Sequence, residues 1–309
     1  MDTFIQQLVN GLVLGAIYAL VALGYTMVYG ILGLINFAHG EVVMIGAMVA
    51  LAVIQALLAA GLALPGPMIA VLGLLVAIGV CMVLGYTVER VAYRPLRAAP
   101  RLAPLITAIG VSIVLQNVAM IIWGRNYHSF PPLLPATPHH FAGATINDLQ
   151  ILIVLTAATI MAALLYLVHR TRLGRAMRAT AQNPEVAGLM GVNINSVISI
   201  TFVIGSALAA VAGLMISAYY GIAHYYMGFM LGLKAFTAAV LGGIGNLAGA
   251  MVGGVLLGLI ESLGAGYIGD LTGGFLGSHY QDVFAFLVLV LVLTLRPSGL
   301  LGERVAERS

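Results

Sequence analysis

His169-Arg170-Thr171-Arg172-Leu173-Gly174-Arg175-Ala176-Met177-Arg178, continued by Ala179 to Asn195, is a polar stretch between two hydrophobic runs. It carries Arg170, Arg172, Arg175 and Arg178 in a chain that is otherwise nearly uncharged. Ile151–Val168 precedes it and Ser196–Tyr219 follows it, both apolar and of membrane-spanning length. Loops rich in Lys and Arg stay in the cytoplasm, so this one orients the segments around it.

Within the stretch, Asn183-Pro184-Glu185 reads as a helix start. Asn accepts from free backbone N–H groups, Pro suits the first helical position, and an acid favours the positive end of the dipole. Gly191 suits the left-handed residue that closes a helix. Val186, Leu189 and Met190 fall at i, i+3 and i+4 and share an apolar face. A helix of about two turns is predicted, too short to hold by itself. It looks built to be touched by another protein; the other reading is a solvated linker whose arginines only enforce topology.

Composition supports a membrane setting. Hydrophobic residues make up 61% and charged residues 7%, against roughly 25% charged in soluble domains. Mean hydropathy is +1.08. The net charge of +3 sits at predicted cytoplasmic ends and gives no reason to expect nucleic acid. Cys81 is the only cysteine, which excludes an intrachain disulfide. The 38 glycines suit close helix packing and broken helices. No cleavable signal peptide is expected, because Met1-Asp2-Thr3 lacks a basic region.

Working outward, Leu8–Tyr29, Met68–Val88 and Leu105–Trp123 are further spans. Residues 89–104 form a second basic loop, with Glu89, Arg90, Arg94, Arg97 and Arg101, expected in the cytoplasm like 170–195. Residues 125–150 are expected outside. His128, His139 and His140 there lack the spacing of a metal site. Tyr219, Tyr220, Tyr225 and Tyr226 read as an outer interfacial belt, and Arg304 and Arg308 place the tail inside.

Two apolar runs are interrupted. Ile31–Ala60 contains Asn36-Phe37-Ala38-His39-Gly40-Glu41, and Lys234–Ala265 contains Gly242-Gly243-Ile244-Gly245-Asn246. With the arginine loop and the tail both inside, the crossings between them are even in number. Lys234–Ala265 is therefore expected to enter and leave on the external side as two short helices. Gly33-x-x-Asn36-x-Ala38 matches Gly243-x-x-Asn246-x-Ala248, which suggests that Ile31–Ala60 is a second such pair and that the N-terminus is cytoplasmic. Paired interruptions of this kind point to a transport path. The expected fold is an all-α polytopic transmembrane bundle, one domain over 1–309, with two broken or re-entrant helix pairs and about 8–10 hydrophobic segments.

Glu41 is the only Asp, Glu, Lys or Arg between Thr3 and Val88. A charge at the bilayer centre costs about 2.5–3.5 kcal/mol or more, so it should face protein or water, beside His39. It reads either as a pathway element or as a structural hydrogen-bonding group. Lys234 and Glu261 flank the second break and are expected to snorkel outward. No P-loop, metal-hydrolase motif, nucleophile elbow or dinucleotide fingerprint occurs. An enzyme is not expected, nor is a cofactor or a bound metal. If ATP energises transport, other chains hydrolyse it.

Four stretches carry a family resemblance: Gly33-Leu34-Ile35-Asn36-Phe37-Ala38-His39-Gly40-Glu41; Gly174 through Arg178-Ala179-x-Ala181-Gln182-Asn183 to Gly191-Val192-Asn193; Leu241-Gly242-Gly243-Ile244-Gly245-Asn246; and Arg296-Pro297-x-Gly299-Leu300. Running almost end to end, they resemble the LivH-type permease of branched-chain amino acid ABC importers. The resemblance implies a multi-pass subunit in a bacterial cytoplasmic (inner) membrane. It implies a second, LivM-like permease, two cytoplasmic ATPase subunits and an external amino-acid-binding protein, with leucine, isoleucine or valine as the small-molecule substrate. Asn183, Pro184, Glu185, Gly188 and Gly191 would belong to a coupling helix seated in an ATPase groove. Asn36, His39, Glu41 and Asn246 would line or gate the path. Relatives that carry urea, short amides or other amino acids keep the substrate open. An aquaporin-like channel is the other transport reading, although Phe37 and Leu247 stand where that family has Pro after Asn. A purely structural membrane subunit would leave the polar breaks unexplained.

Overall fold

The computed structural model describes residues 2–61, 63–97, 99–100, 102–133, 136–141, 143–273, 280–296 and 298–302. Arg101, Pro297, Arg304 and Arg308 lie outside the described residues.

Eleven α-helices are described: α1 (Asp2–Leu32), α2 (His39–Ala59), α3 (Gly66–Val88), α4 (Leu102–Trp123), α5 (Asp148–Arg170), α6 (Arg172–Gln182), α7 (Pro184–Leu189), α8 (Ile194–Tyr220), α9 (Met227–Gly242), α10 (Leu247–Leu271) and α11 (Gln281–Leu295). Seven are long and apolar enough to cross a membrane; α9 and a stretch of α11 are shorter apolar helices. The strands are minor: β1 (His128–Ser129) pairs with β4 (Ile222–Ala223), and β2 (Pro138–Phe141) with β3 (Ala144–Asn147), both antiparallel. The chain is an all-α helical bundle, as its composition predicts.

It divides into two compact units, one of Met1–Thr26, Ala136–Ala162 and Lys234–Ser309, the other of Met27–Pro135 and Ala163–Leu233. In the first, α1 and α10 run antiparallel along seams of small residues. Gly11, Gly15 and Ala19 recur every fourth position on α1, as Ala250, Gly254, Gly258 and Ser262 do on α10. The backbones touch: a Cβ on Gly15 would lie 2.7 Å from Val255 Cα, and one on Gly254 2.5 Å from Ala19 Cα. In lipid, helix association rests on such close packing. The Ser262 hydroxyl donates to Gln7 O at 2.8 Å and extends the seam toward the start of α1. There Gln6 exchanges two hydrogen bonds with the Thr145 backbone, tying that end of α1 to β3.

In the second unit, α2, α3 and α8 pack together. Gly73 on α3 meets Ala50 and Ile54 on α2, whereas Cys81 meets Val42 and Gly46, so α2 and α3 are antiparallel. Gly85 on α3 meets Phe202 and Ser206 on α8. The start of α2 is therefore level with Phe202–Ser206, roughly 12–18 Å along α8 at 1.5 Å per residue. It begins inside the helical layer, not at its edge. Tyr93, Phe202, Val88, Val28, Ala108 and Ile198 form a buried cluster nearer the first residue of α8.

Helices break at both predicted places, but with a different geometry. Ile31–Ala60 does not hold two half-helices. α1 ends at Leu32, and a single 21-residue helix follows at His39. In the second run α9 is short, at 16 residues, while α10 has 25 and is long enough to cross alone. Its Gly-rich turn lies beside Ser298–Gly302, since Leu300 and Leu301 donate backbone hydrogen bonds to Leu241 and Gly242 at 2.9 Å. The repeated Gly-x-x-Asn-x-Ala is a helix-start device. Gly33 and Gly243 take φ of +63° and +107°, which admits the turn. Asn36 Oδ1 then accepts from Ala38 N, and Asn246 Oδ1 from Gly249 N.

Candidate functional site

The arginine stretch is more ordered than a loop. Residues 172–182 form α6, capped by the Thr171 hydroxyl, which accepts from Gly174 N at 3.1 Å. Gly174, Met177 and Thr180 are buried on one face. Arg178 donates to Val168 O at the end of α5.

α7 is the predicted short helix. Asn183 Oδ1 accepts from Val186 N at 3.1 Å, and Pro184 stands where no N–H is needed. The helix closes as Val192 N reaches Ala187 O and Gly191 N reaches Gly188 O, with Gly191 at φ +84°. Ala187 packs inward. Glu185 and Gly188 are exposed, and so are the three apolar residues: Leu189 is 87% and Met190 80% accessible, with Val186 beside them. A capped, rigid turn that shows its apolar face outward suits a partner's groove.

The second basic loop continues α3 as a π-helical turn, 89–93, and a 3-10 turn, 94–96. Glu89 is fully buried and gathers Arg94 at 3.4 Å, Arg97, and the Ser199 hydroxyl at 2.7 Å. Arg97 also donates to Asn195 Oδ1 at 2.7 Å, joining this turn to the start of α8. Burial pulls the Arg97 guanidinium below its ordinary pKa, and Glu89 opposes that pull.

Asn36, His39 and Glu41 are all buried around the start of α2. Asn36 Oδ1 also accepts from the Tyr93 hydroxyl at 2.9 Å, which anchors the first break to the π-helical turn. Glu41 is 1% accessible. Its Oε1 accepts from Gln116 Nε2 at 2.6 Å and from Ser112 Oγ at 3.1 Å, both on α4. Its Oε2 has no hydrogen-bond donor among the described residues. Gly228, in the first turn of α9, packs against it: a Cβ there would lie 2.6 Å from Oε2.

Asn246 belongs to the other unit, where it caps α10 and donates to Leu301 O at 2.9 Å. Lys234 and Glu261 do not snorkel. Lys234 is 8% and Glu261 1% accessible. The Lys234 ammonium lies 2.5 Å from Glu261 Oε1, 2.7 Å from Asp282 Oδ1 and 3.4 Å from the Tyr18 hydroxyl. The ion triad joins α9, α10 and α11, and the Tyr18 hydroxyl adds α1. Internal pairing replaces the interface, because each charge finds its complement on a neighbouring helix. The loop histidines have separate partners: His128 with Trp123 O, His139 with Asp148, His140 with Thr145.

Sequence reasoning missed Ser112, Gln116 and Gly228 at Glu41, and the pairing of Lys234. The spacing of Ser112 and Gln116, four apart on one helix face, is the local signal that could have drawn attention to α4.

Comparison with known proteins completes the picture. The profile of a family described as "Branched-chain amino acid transport system / permease component" matches residues 7–293. The chain is 48% identical to the high-affinity branched-chain amino acid transport system permease protein BraD of Pseudomonas aeruginosa, over 99% of this chain and 98% of that one. It is 45% identical to the permease protein LivH of Escherichia coli, over 99% and 97%. A probable LivH of Methanocaldococcus jannaschii is 27% identical over 92% and 88%. Seven span-capable helices and full-length similarity to permeases make this a multi-pass membrane protein, and the chain belongs to the branched-chain amino acid transport system permease family.

Proposed function

We propose that the chain is the permease subunit of an ABC importer that carries branched-chain amino acids into the cytoplasm. The observation that carries this reading is α7, a capped turn offering Val186, Leu189 and Met190 to a partner beside a basic helix. The relatives named as branched-chain amino acid permeases supply the substrate. In this reading α7 is the coupling helix seated in the groove of one cytoplasmic ATPase subunit, while a second ATPase subunit takes the corresponding loop of a LivM-like permease. An external binding protein delivers leucine, isoleucine or valine.

The proposed topology follows the positive charge. Residues 89–104 and 170–195 face the cytoplasm of a bacterial inner membrane, and 125–150 face outward. With Ile31–Ala60 crossing once, the N-terminus is external, in keeping with the hydrogen bonds between Gln6 and Thr145. Glu41 and His39 act at the translocation path, while Asn36 and Asn246 serve it by fixing the breaks.

The test is Gly188→Arg, which places a long cation in the α7 face without disturbing its cap. The complex should lose ATP-driven leucine uptake while the protein stays in the membrane. Normal uptake would refute the docking role.

A further inference from the structure

Two helices begin at the same buried level in the second unit. α2 starts inside the layer, and the first turns of α9 meet it there: a Cβ on Gly40 would lie 2.4 Å from Gly228 O and 2.8 Å from Gly232 Cα. Their N-terminal turns each carry partial positive charge. Between them stands Glu41, its Oε1 held by Gln116 and Ser112 and its buried Oε2 without a donor among the described residues. A buried carboxylate oxygen left unpaired is costly, and such groups inside a membrane mark substrate routes.

We infer that Glu41, presented between the first turns of α2 and α9, recognises the ammonium of a zwitterionic amino-acid substrate, and that the Gly40–Gly228 contact is the closed form of this site. The inference rests on the transport reading above and names a recognition group for it. Ser112 and Gln116 aim the carboxylate by occupying one oxygen. The free oxygen takes the ammonium, and the positive helix ends favour the substrate carboxylate. No side chain stands between Gly40 and Gly228, so the two turns meet backbone to backbone. They part to admit a molecule of amino-acid size. A neutral substrate such as urea has no ammonium for Glu41 to hold.

The experiment uses the assembled transporter in proteoliposomes. Photo-leucine, a diazirine analogue of leucine, is supplied on the binding protein, turnover is arrested with vanadate, and labelled peptides are mapped by mass spectrometry. The wild type should be labelled within α2, α4 or the first turns of α9. Glu41→Gln should lower that label about tenfold, the scale of one lost charge-assisted bond. The amount of assembled variant complex recovered in the proteoliposomes should match wild type, so that a lower label reports recognition rather than loss of protein. Should Glu41→Gln not reach the membrane, Glu41→Asp replaces it. That variant keeps the charge, retracts it by one methylene, and should lower the label while retaining leucine over a deaminated analogue. Label confined to other segments, or unchanged in these variants, would overturn the inference. A wild-type complex that takes up no leucine with ATP would instead refute the transport reading.

Discussion

Glu41 and Glu261 are both acids set in apolar helices, and both are about 1% accessible. Their surroundings separate them. Glu261 shares a lysine with Asp282, so its unit carries an internal ion triad that links α9, α10 and α11. Among the described residues, Glu41 has only neutral donors, both on α4, and keeps one oxygen unpaired against a glycine. Charge matched by charge holds helices together. Charge matched by neutral groups leaves binding capacity for something that arrives.

The sharpest way to break this contrast is Lys234→Ala. It strands two acids, and removing one partner of a buried pair costs about 3–5 kcal/mol. We expect little protein in the membrane, measured by quantitative immunoblot. Wild-type amounts would mean that the triad does not hold the fold. Glu261→Gln is milder, because Lys234 keeps Asp282; it should lower the amount of protein, with uptake per molecule unchanged. Glu41→Gln should do the reverse, leaving the amount near wild type and reducing leucine uptake about tenfold. If both glutamates shift the same quantity, the distinction fails.

Local features were legible in the sequence, and long-range ones were not. Asn183, Pro184 and Gly191 define α7 within nine residues, and each acts on its neighbours in the chain. The two breaks were visible as Gly-x-x-Asn-x-Ala. Their geometry was not, since whether a helix follows whole or halved depends on what packs against it. α6 is the local exception: its signals are the Thr171 cap and the inward spacing of Gly174, Met177 and Thr180, which the four arginines of the same stretch mask. Lys234 and Glu261 are 27 positions apart on different helices, and single-chain hydropathy prices each as though it were alone. The α1–α10 seam falls between these cases: its four-residue spacing of small residues is visible on each helix, but the choice of partner is not.

Two smaller effects refine the picture. Cysteine at His140 should react with an impermeant thiol reagent from outside, and cysteine at Thr180 only after the cytoplasmic side is opened and at a slow rate, because Thr180 is buried on α6. The reverse pattern would invert the topology. Asn183→Ala removes the α7 cap at about 1 kcal/mol. Uptake should fall several-fold with substrate affinity at the binding protein unchanged, and no change in uptake would mean that the partner, rather than the cap, shapes α7.

In the proposed mechanism this chain moves branched-chain amino acids only when ATPases act through α7. This is tested most directly by labelled leucine uptake into proteoliposomes that hold the chain with its partner subunits and binding protein, with and without ATP on the α7 side. Uptake that requires both the chain and ATP is the predicted result. Uptake at the same rate without ATP, or by the chain alone, would contradict the account and point to a channel.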